Sequence, residues 1–148
     1  MKNCLAYEIR VLLVVPRIWE DTDFFELNFD FYGFSGTANI DIYTTNEDLE
    51  DLKKGIIKFS TFKLNEFQWV SGEDIDNVTH FLSMRFFLHD KRGIVGIEVV
   101  ADNKQSKPYW MRSNLSILTE LSQIDDFIKK IEQLISEEIT ELESIISV

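Results

Sequence analysis

Phe24-Phe25-Glu26-Leu27-Asn28-Phe29-Asp30-Phe31-Tyr32-Gly33-Phe34-Ser35-Gly36-Thr37-Ala38-Asn39-Ile40-Asp41-Ile42-Tyr43 is the stretch that decides the fold. Apolar and polar residues alternate with the period of a strand on both sides of a Gly-Phe-Ser-Gly turn. Setting Tyr32 against Thr37 puts Phe31 on Ala38, Phe29 on Ile40 and Leu27 on Ile42, with Asp30 on Asn39 and Asn28 on Asp41. One register therefore sorts both strands into the same dry face and the same wet face, which is the condition for a stable hairpin on a core.

The same test succeeds around Asp90-Lys91-Arg92-Gly93, where Leu88 meets Val95, Phe86 meets Ile97, Met84 meets Val99 and Leu82 meets Ala101. On the reverse face Arg85 stands across from Glu98, and Phe87 across from Gly96. A first strand is expected over Tyr7 to Val15, one within Lys58 to Val70, and another from Tyr109 to about Leu118. A helix capped by Thr45 carries Leu49, Leu52 and Ile56, with Lys53, Lys54 and Gly55 marking its end. A last helix starts at Ser122 with Asp125 three residues on, and runs about 25 residues along Ile124, Phe127, Ile131, Leu134, Ile139, Leu142 and Ile146.

These elements predict one α+β domain spanning residues 1–148: a mostly antiparallel curved sheet of about 6–7 strands covered by two helices, the second long and C-terminal. Phe24–Ile57 and Phe81–Leu134 read as a weak hairpin-plus-helix repeat. The distal part of the last helix, with Ile139, Leu142, Ile145 and Ile146 against Glu137, Glu138, Glu141 and Glu143, either packs along the sheet edge or pairs with a second copy as a homodimer.

In 148 residues there are 15 Lys+Arg and 26 Asp+Glu, a net charge of −11. That balance argues against nucleic acid and against anionic membranes, both of which are bound mainly through Lys and Arg. No apolar run approaches the roughly 18 residues of a membrane span. A single cysteine, Cys4, gives no disulfide framework, and the expected location is cytoplasmic.

Catalytic and metal constellations are not supported. Cys4 has no second cysteine or nearby histidine, and His80 and His89 read as surface or strand-end residues. Glu73, Asp74 and Asp76 lack the spacing of a calcium loop and read as a solvated turn. No nucleophile elbow, phosphate loop or dinucleotide fingerprint is present, so the chain reads as non-enzymatic, with no metal and no cofactor. Carboxylate pairs are set by geometry, which spacing along the chain leaves open.

Charge is uneven. Between Arg17 and Lys53 there is no basic residue, while Glu20, Asp21, Asp23, Glu26, Asp30, Asp41, Glu47, Asp48, Glu50 and Asp51 all fall there. Tyr32 and Tyr43 share the hairpin's wet face with Glu26, Asp30 and Asp41, combining steering charge with amphipathic contact area. These twelve residues are the candidate partner-binding set, suited to a basic protein.

Trp69, the Gly72-Glu73 turn, His89-Asp90-Lys91-Arg92-Gly93-Ile94-Val95-Gly96-Ile97-Glu98-Val99, Tyr109-Trp110 and the Leu121–Leu134 stripe resemble a known family. The chain looks similar to the immunity-protein-like domains of bacterial polymorphic toxin systems, including those cognate to Wap cell-wall-associated toxins. The likeness covers residues 24–135. Val95 keeps the hairpin valine, Ile94 stands where such hairpins often have His, and the C-terminal extension departs from the pattern. Its motifs are structural, so no binding residue carries over. The resemblance implies a non-catalytic protein that binds and neutralises a toxin, commonly a basic nuclease domain, inside the producing cell.

Overall fold

A computed structural model describes residues 9–13, 24–34 and 36–145, with backbone alone for 9–13. The order is β1 Ile9–Leu13, β2 Phe25–Gly33, β3 Gly36–Thr44, α1 Asn46–Ser60, β4 Glu66–Gly72, β5 Phe81–Leu88, β6 Ile94–Asp102, β7 Arg112–Glu120, α2 Leu121–Ile135 and β8 Glu141–Ser144. The class is α+β and every strand pairing is antiparallel.

The hairpin registers follow the alternation residue by residue. Phe29 pairs with Ile40 and Asp30 with Asn39 in the first, and Phe86 with Ile97 and Arg85 with Glu98 in the second. Instead of the single sheet expected, the described strands form two four-stranded sheets, ordered β3-β2-β1-β8 and β4-β5-β6-β7. Alternation specifies which face of a strand is dry, but not which strand lies beside it. Here α1 separates β3 from β4, and β4 starts the second sheet. The hairpin-plus-helix order recurs: β1–β3 lead into α1, and β4–β7 lead into α2.

The two sheets turn their apolar faces inward and the two helices, packed on each other, complete the enclosure. Leu27, Phe31 and Ile42 from one sheet, Phe86, Ile97 and Ile117 from the other, and Ile56 and Phe127 from the helices are all at 0% exposure in one core. Burying side chains of this size is worth about 1.5–3 kcal/mol each relative to leaving them in water. Thr45 caps α1 as expected, its side chain accepting a hydrogen bond from Asp48 N at 3.1 Å.

Both helix ends differ from expectation. Gly55 does not stop α1, which continues to Ser60, and β4 occupies only the last part of the Lys58–Val70 stretch. The second helix begins at Leu121 with Glu120 before it, and has no side-chain cap from Ser122. It ends at Ile135 after 15 residues, and the chain turns back as β8 to pair with β1. Leu142 and Ile145, expected on the distal part of the last helix, are buried within the chain at 3% and 0% exposure, as packing along the sheet edge requires, but in a strand and its end rather than a helix, while Ile146 lies outside the described residues. Lys130 Nζ donates to Glu143 O at 2.7 Å and Ser144 Oγ donates to Asp126 at 2.7 Å, fastening β8 to α2. The seventh strand starts at Arg112, leaving Tyr109 and Trp110 in an exposed loop.

Candidate functional site

The outer face of the first sheet is built by residues that alternate with its core positions. From β2 it takes Glu26, Asn28, Asp30 and Tyr32, and from β3 Thr37, Asn39, Asp41 and Tyr43. The backbone register runs from this face across β1, where Asp30 and Glu143 of β8 are both partners of Arg10, and Glu143 is exposed like the other residues of the face. Glu141 lies on the same face. Five carboxylates from three strands thus share one surface.

A polar ladder orders its centre. Asn28 Nδ2 donates to Asn39 Oδ1 at 2.9 Å and to Asp41 Oδ1 at 2.7 Å, while Asn39 Nδ2 returns a bond to Asn28 Oδ1 at 2.8 Å. Tyr32 OH donates to Asp30 Oδ2 at 3.0 Å. These bonds hold the carboxylates in place without cancelling their charge, because amides and hydroxyls are neutral donors.

Of the twelve candidate residues, the fold brings Glu26, Asp30, Tyr32, Asp41 and Tyr43 together on this face. Glu47, Asp48, Glu50 and Asp51 sit on α1, which packs with the core and against α2, β4 and β5, and so belong to another surface. Glu50 is paired with Lys53 at 2.8 Å, and that bond lowers its pKa. Asp48 serves the helix start: its amide meets Thr45 and its carbonyl accepts from Trp69 Nε1 at 3.2 Å. Glu20, Asp21 and Asp23 lie outside the described residues. Glu141 and Glu143 are not evident as part of this face from the sequence, whose periodicity places their segment on a helix.

A second ordered region closes one end of the β4-β5-β6-β7 sheet. Asp102, 3% exposed at the end of β6, accepts from Lys104 N at 2.8 Å, Trp110 Nε1 at 3.0 Å and Arg112 Nη1 at 3.0 Å. Burial alone would raise its pKa, but these donors outweigh burial and hold it below the ordinary value. Asp74 receives both guanidinium nitrogens of Arg112, at 2.9 and 3.0 Å, and Lys104 Nζ at 2.7 Å. Those hydrogen bonds, Arg112 first, hold the Asp74 carboxyl down at about 2. The same contacts raise Arg112 above its ordinary value. The turn read as merely solvated is thus pinned through Asp74 to the starts of two other segments.

Of the surface or strand-end positions expected for the histidines, His80 takes the strand end. It stands just before β5 but is buried, with Nε2 2.8 Å from Ser71 Oγ and Nδ1 3.0 Å from Thr79 Oγ1. Burial lowers its pKa, which favours the neutral ring. Its two hydroxyl partners satisfy it as a packing element. Among the described residues, no group of three His, Cys, Asp or Glu is arranged to hold a metal ion, and no helix is long and apolar enough to cross a membrane.

No protein-family model matches the chain, and comparison with curated proteins returns no match.

Proposed function

We propose that this chain is a non-catalytic protein that binds and neutralises a basic bacterial toxin domain in the cytoplasm of the cell that makes the toxin. The observation that supports this reading is the outer face of the β3-β2-β1-β8 sheet. Glu26, Asp30, Asp41, Glu141 and Glu143 converge there around an ordered Asn28–Asn39 ladder, with Tyr32 and Tyr43 on the same surface. A predominantly acidic surface accelerates encounter with a basic partner and makes binding sensitive to salt. The tyrosines add contact area that loses little side-chain entropy on binding. The resemblance to immunity-protein-like domains points the same way.

The test is affinity capture of the tagged protein from its own cells at low salt, with identification of what moderate salt releases and a growth assay of neutralisation. A basic protein that is released by salt and silenced by this chain is the expected result. Recovery of this chain alone would favour a homodimeric adaptor, and would overturn the toxin-binding reading.

A further inference from the structure

Edge strand β3 and the loops at the end of the second sheet border an open cleft of about 480 Å³. Glu26, Asp41 and Tyr43 form its sheet wall, while Asn103, Lys104 and Gln105 from the β6–β7 loop form much of the facing wall. The volume falls within the range of small-ligand sites, roughly 300–1,000 Å³. Its two walls come from different sheets, so the cleft exists only in the assembled fold.

The lining contains one cation, Lys104, and its charge is committed elsewhere. Its Nζ lies 2.7 Å from Asp74 and 3.7 Å from Asp102, with the side chain only 11% exposed. The loop wall is also fixed. Asn103 Oδ1 accepts from Gln105 N at 3.2 Å and Met111 N at 3.0 Å, and its Nδ2 donates to Tyr109 O at 3.0 Å. On the opposite wall Asp41 is bonded by the neutral Asn28 amide, and Glu26 pairs with no cation among the described residues. The cleft therefore presents uncancelled negative charge, an aromatic ring and an amide, facing a loop that its own hydrogen bonds already order.

We infer that this cleft seats an arginine side chain of the basic partner and is the anchoring pocket of the acidic face. A guanidinium is planar, carries five donors, pairs with carboxylates and stacks on aromatic rings, a combination an ammonium lacks. This inference rests on the proposed function for its occupant, but the cleft can be tested without the partner.

The probe is N-acetyl-L-arginine amide, titrated into the ¹⁵N-labelled protein and followed by NMR, with the citrulline and lysine counterparts as comparisons. Saturable shifts at Asn39, Asp41, Asn103 and Gln105 are expected, with no saturation by the neutral citrulline compound and weaker binding of lysine. The double variant Glu26→Gln with Asp41→Asn should raise the arginine Kd about tenfold or more, because both charge-assisted bonds are lost. Asp125→Asn, which removes an exposed charge on α2, should leave it unchanged. Well-dispersed spectra of each variant establish that the fold is intact. Absent saturation, shifts spread evenly over the acidic face, equal binding of lysine, or an unaffected double variant would each overturn the inference. Arginine binding in the cleft without capture of a basic protein would leave the cleft standing and remove the toxin. Capture of a basic protein with no arginine binding would place the anchor elsewhere.

Discussion

The ring of Phe67, at the start of β4, lies against the backbone of Gly55 in the middle of α1, where a Cβ would overlap the ring. The contact continues inward, since Phe67 stacks on Phe86 with centroids 6.2 Å apart and Phe86 is fully buried. Glycine costs a helix interior about 1 kcal/mol relative to alanine, so Gly55→Ala would stabilise an unconstrained helix. Here the sign should reverse. Displacing Phe67 should cost about 1–3 kcal/mol, the range for overpacked cores. A chemical denaturation curve of Gly55→Ala displaced to lower midpoint is the expected outcome, and a higher midpoint would mean the ring moves aside freely.

Both helices end in the same way, and neither end carries a glycine. Phe62 and Glu137 have left-handed φ of 64°, with Lys63 N donating to Lys58 O at 2.8 Å and Glu138 N to Gln133 O at 2.9 Å. That backbone closure normally uses glycine, because a Cβ disfavours the left-handed conformation by about 1–2 kcal/mol. Glu137 is exposed, so Glu137→Gly removes that penalty without emptying the core. Its unfolding midpoint should rise, by the equivalent of about 0.5–1 kcal/mol once the added freedom of the unfolded chain is counted.

This backbone chemistry explains which parts of the fold were legible in the sequence. The strands of both hairpins and their registers could be read because every second residue of Phe25–Phe31, Ala38–Ile42, Leu82–Phe86 and Val95–Ala101 is apolar. The helix limits could not. Gly55 imitates a stop but serves a ring contact, and the real stops at Phe62 and Glu137 have no glycine to announce them. The helical spacing of Leu134, Ile139 and Leu142 continues past Glu137, and it masks the strand that puts Glu141 and Glu143 on the face they share with Asp30. The acidic hairpin was visible, whereas its continuation in β8 depended on a turn that local sequence does not mark. The cleft depended further on which loops meet β3, a long-range relation that alternation does not contain.

His80 predicts a pH dependence of stability near neutrality. Burial lowers its folded pKa below the ordinary 6.5, so in the window between the two values the unfolded chain binds more protons than the folded one. Stability is then fully present above 6.5 and declines as pH falls through the unfolded value toward the folded one. Denaturation curves taken from about pH 7.5 to 5.5 should show this slope before acid-range carboxylates contribute. His80→Gln should flatten it; an unchanged slope would assign the dependence to another group.

Leu142 decides between a projecting helix and a closing strand. As a buried residue of β8 at 3% exposure, its replacement by alanine should cost about 2–5 kcal/mol. On a helix that served a second copy, the same change would instead lower the association constant while leaving the isolated chain's stability nearly intact. Denaturation combined with sedimentation at several concentrations separates the two, and loss of stability without a change of mass is expected.

The acidic face and the acidic helix make opposite predictions for association with a captured basic partner. Asp30 and Asp41 share their sheet face with Glu141 and Glu143, whereas Glu47 and Asp51 lie on α1. Charges near the docking surface steer encounter, and their influence falls over a Debye length of about 8–10 Å at ordinary salt. Asp30→Lys with Asp41→Lys should therefore slow association about tenfold or more at low salt, and Glu141→Lys with Glu143→Lys should slow it in the same direction. Glu47→Lys with Asp51→Lys makes the same change in net charge on the other surface and should alter the rate far less. Stopped-flow or surface-binding kinetics over a salt series reads all three pairs. Equal slowing by every pair would show that net charge alone governs encounter, and a selective effect of the helix pair would move the docking surface to α1.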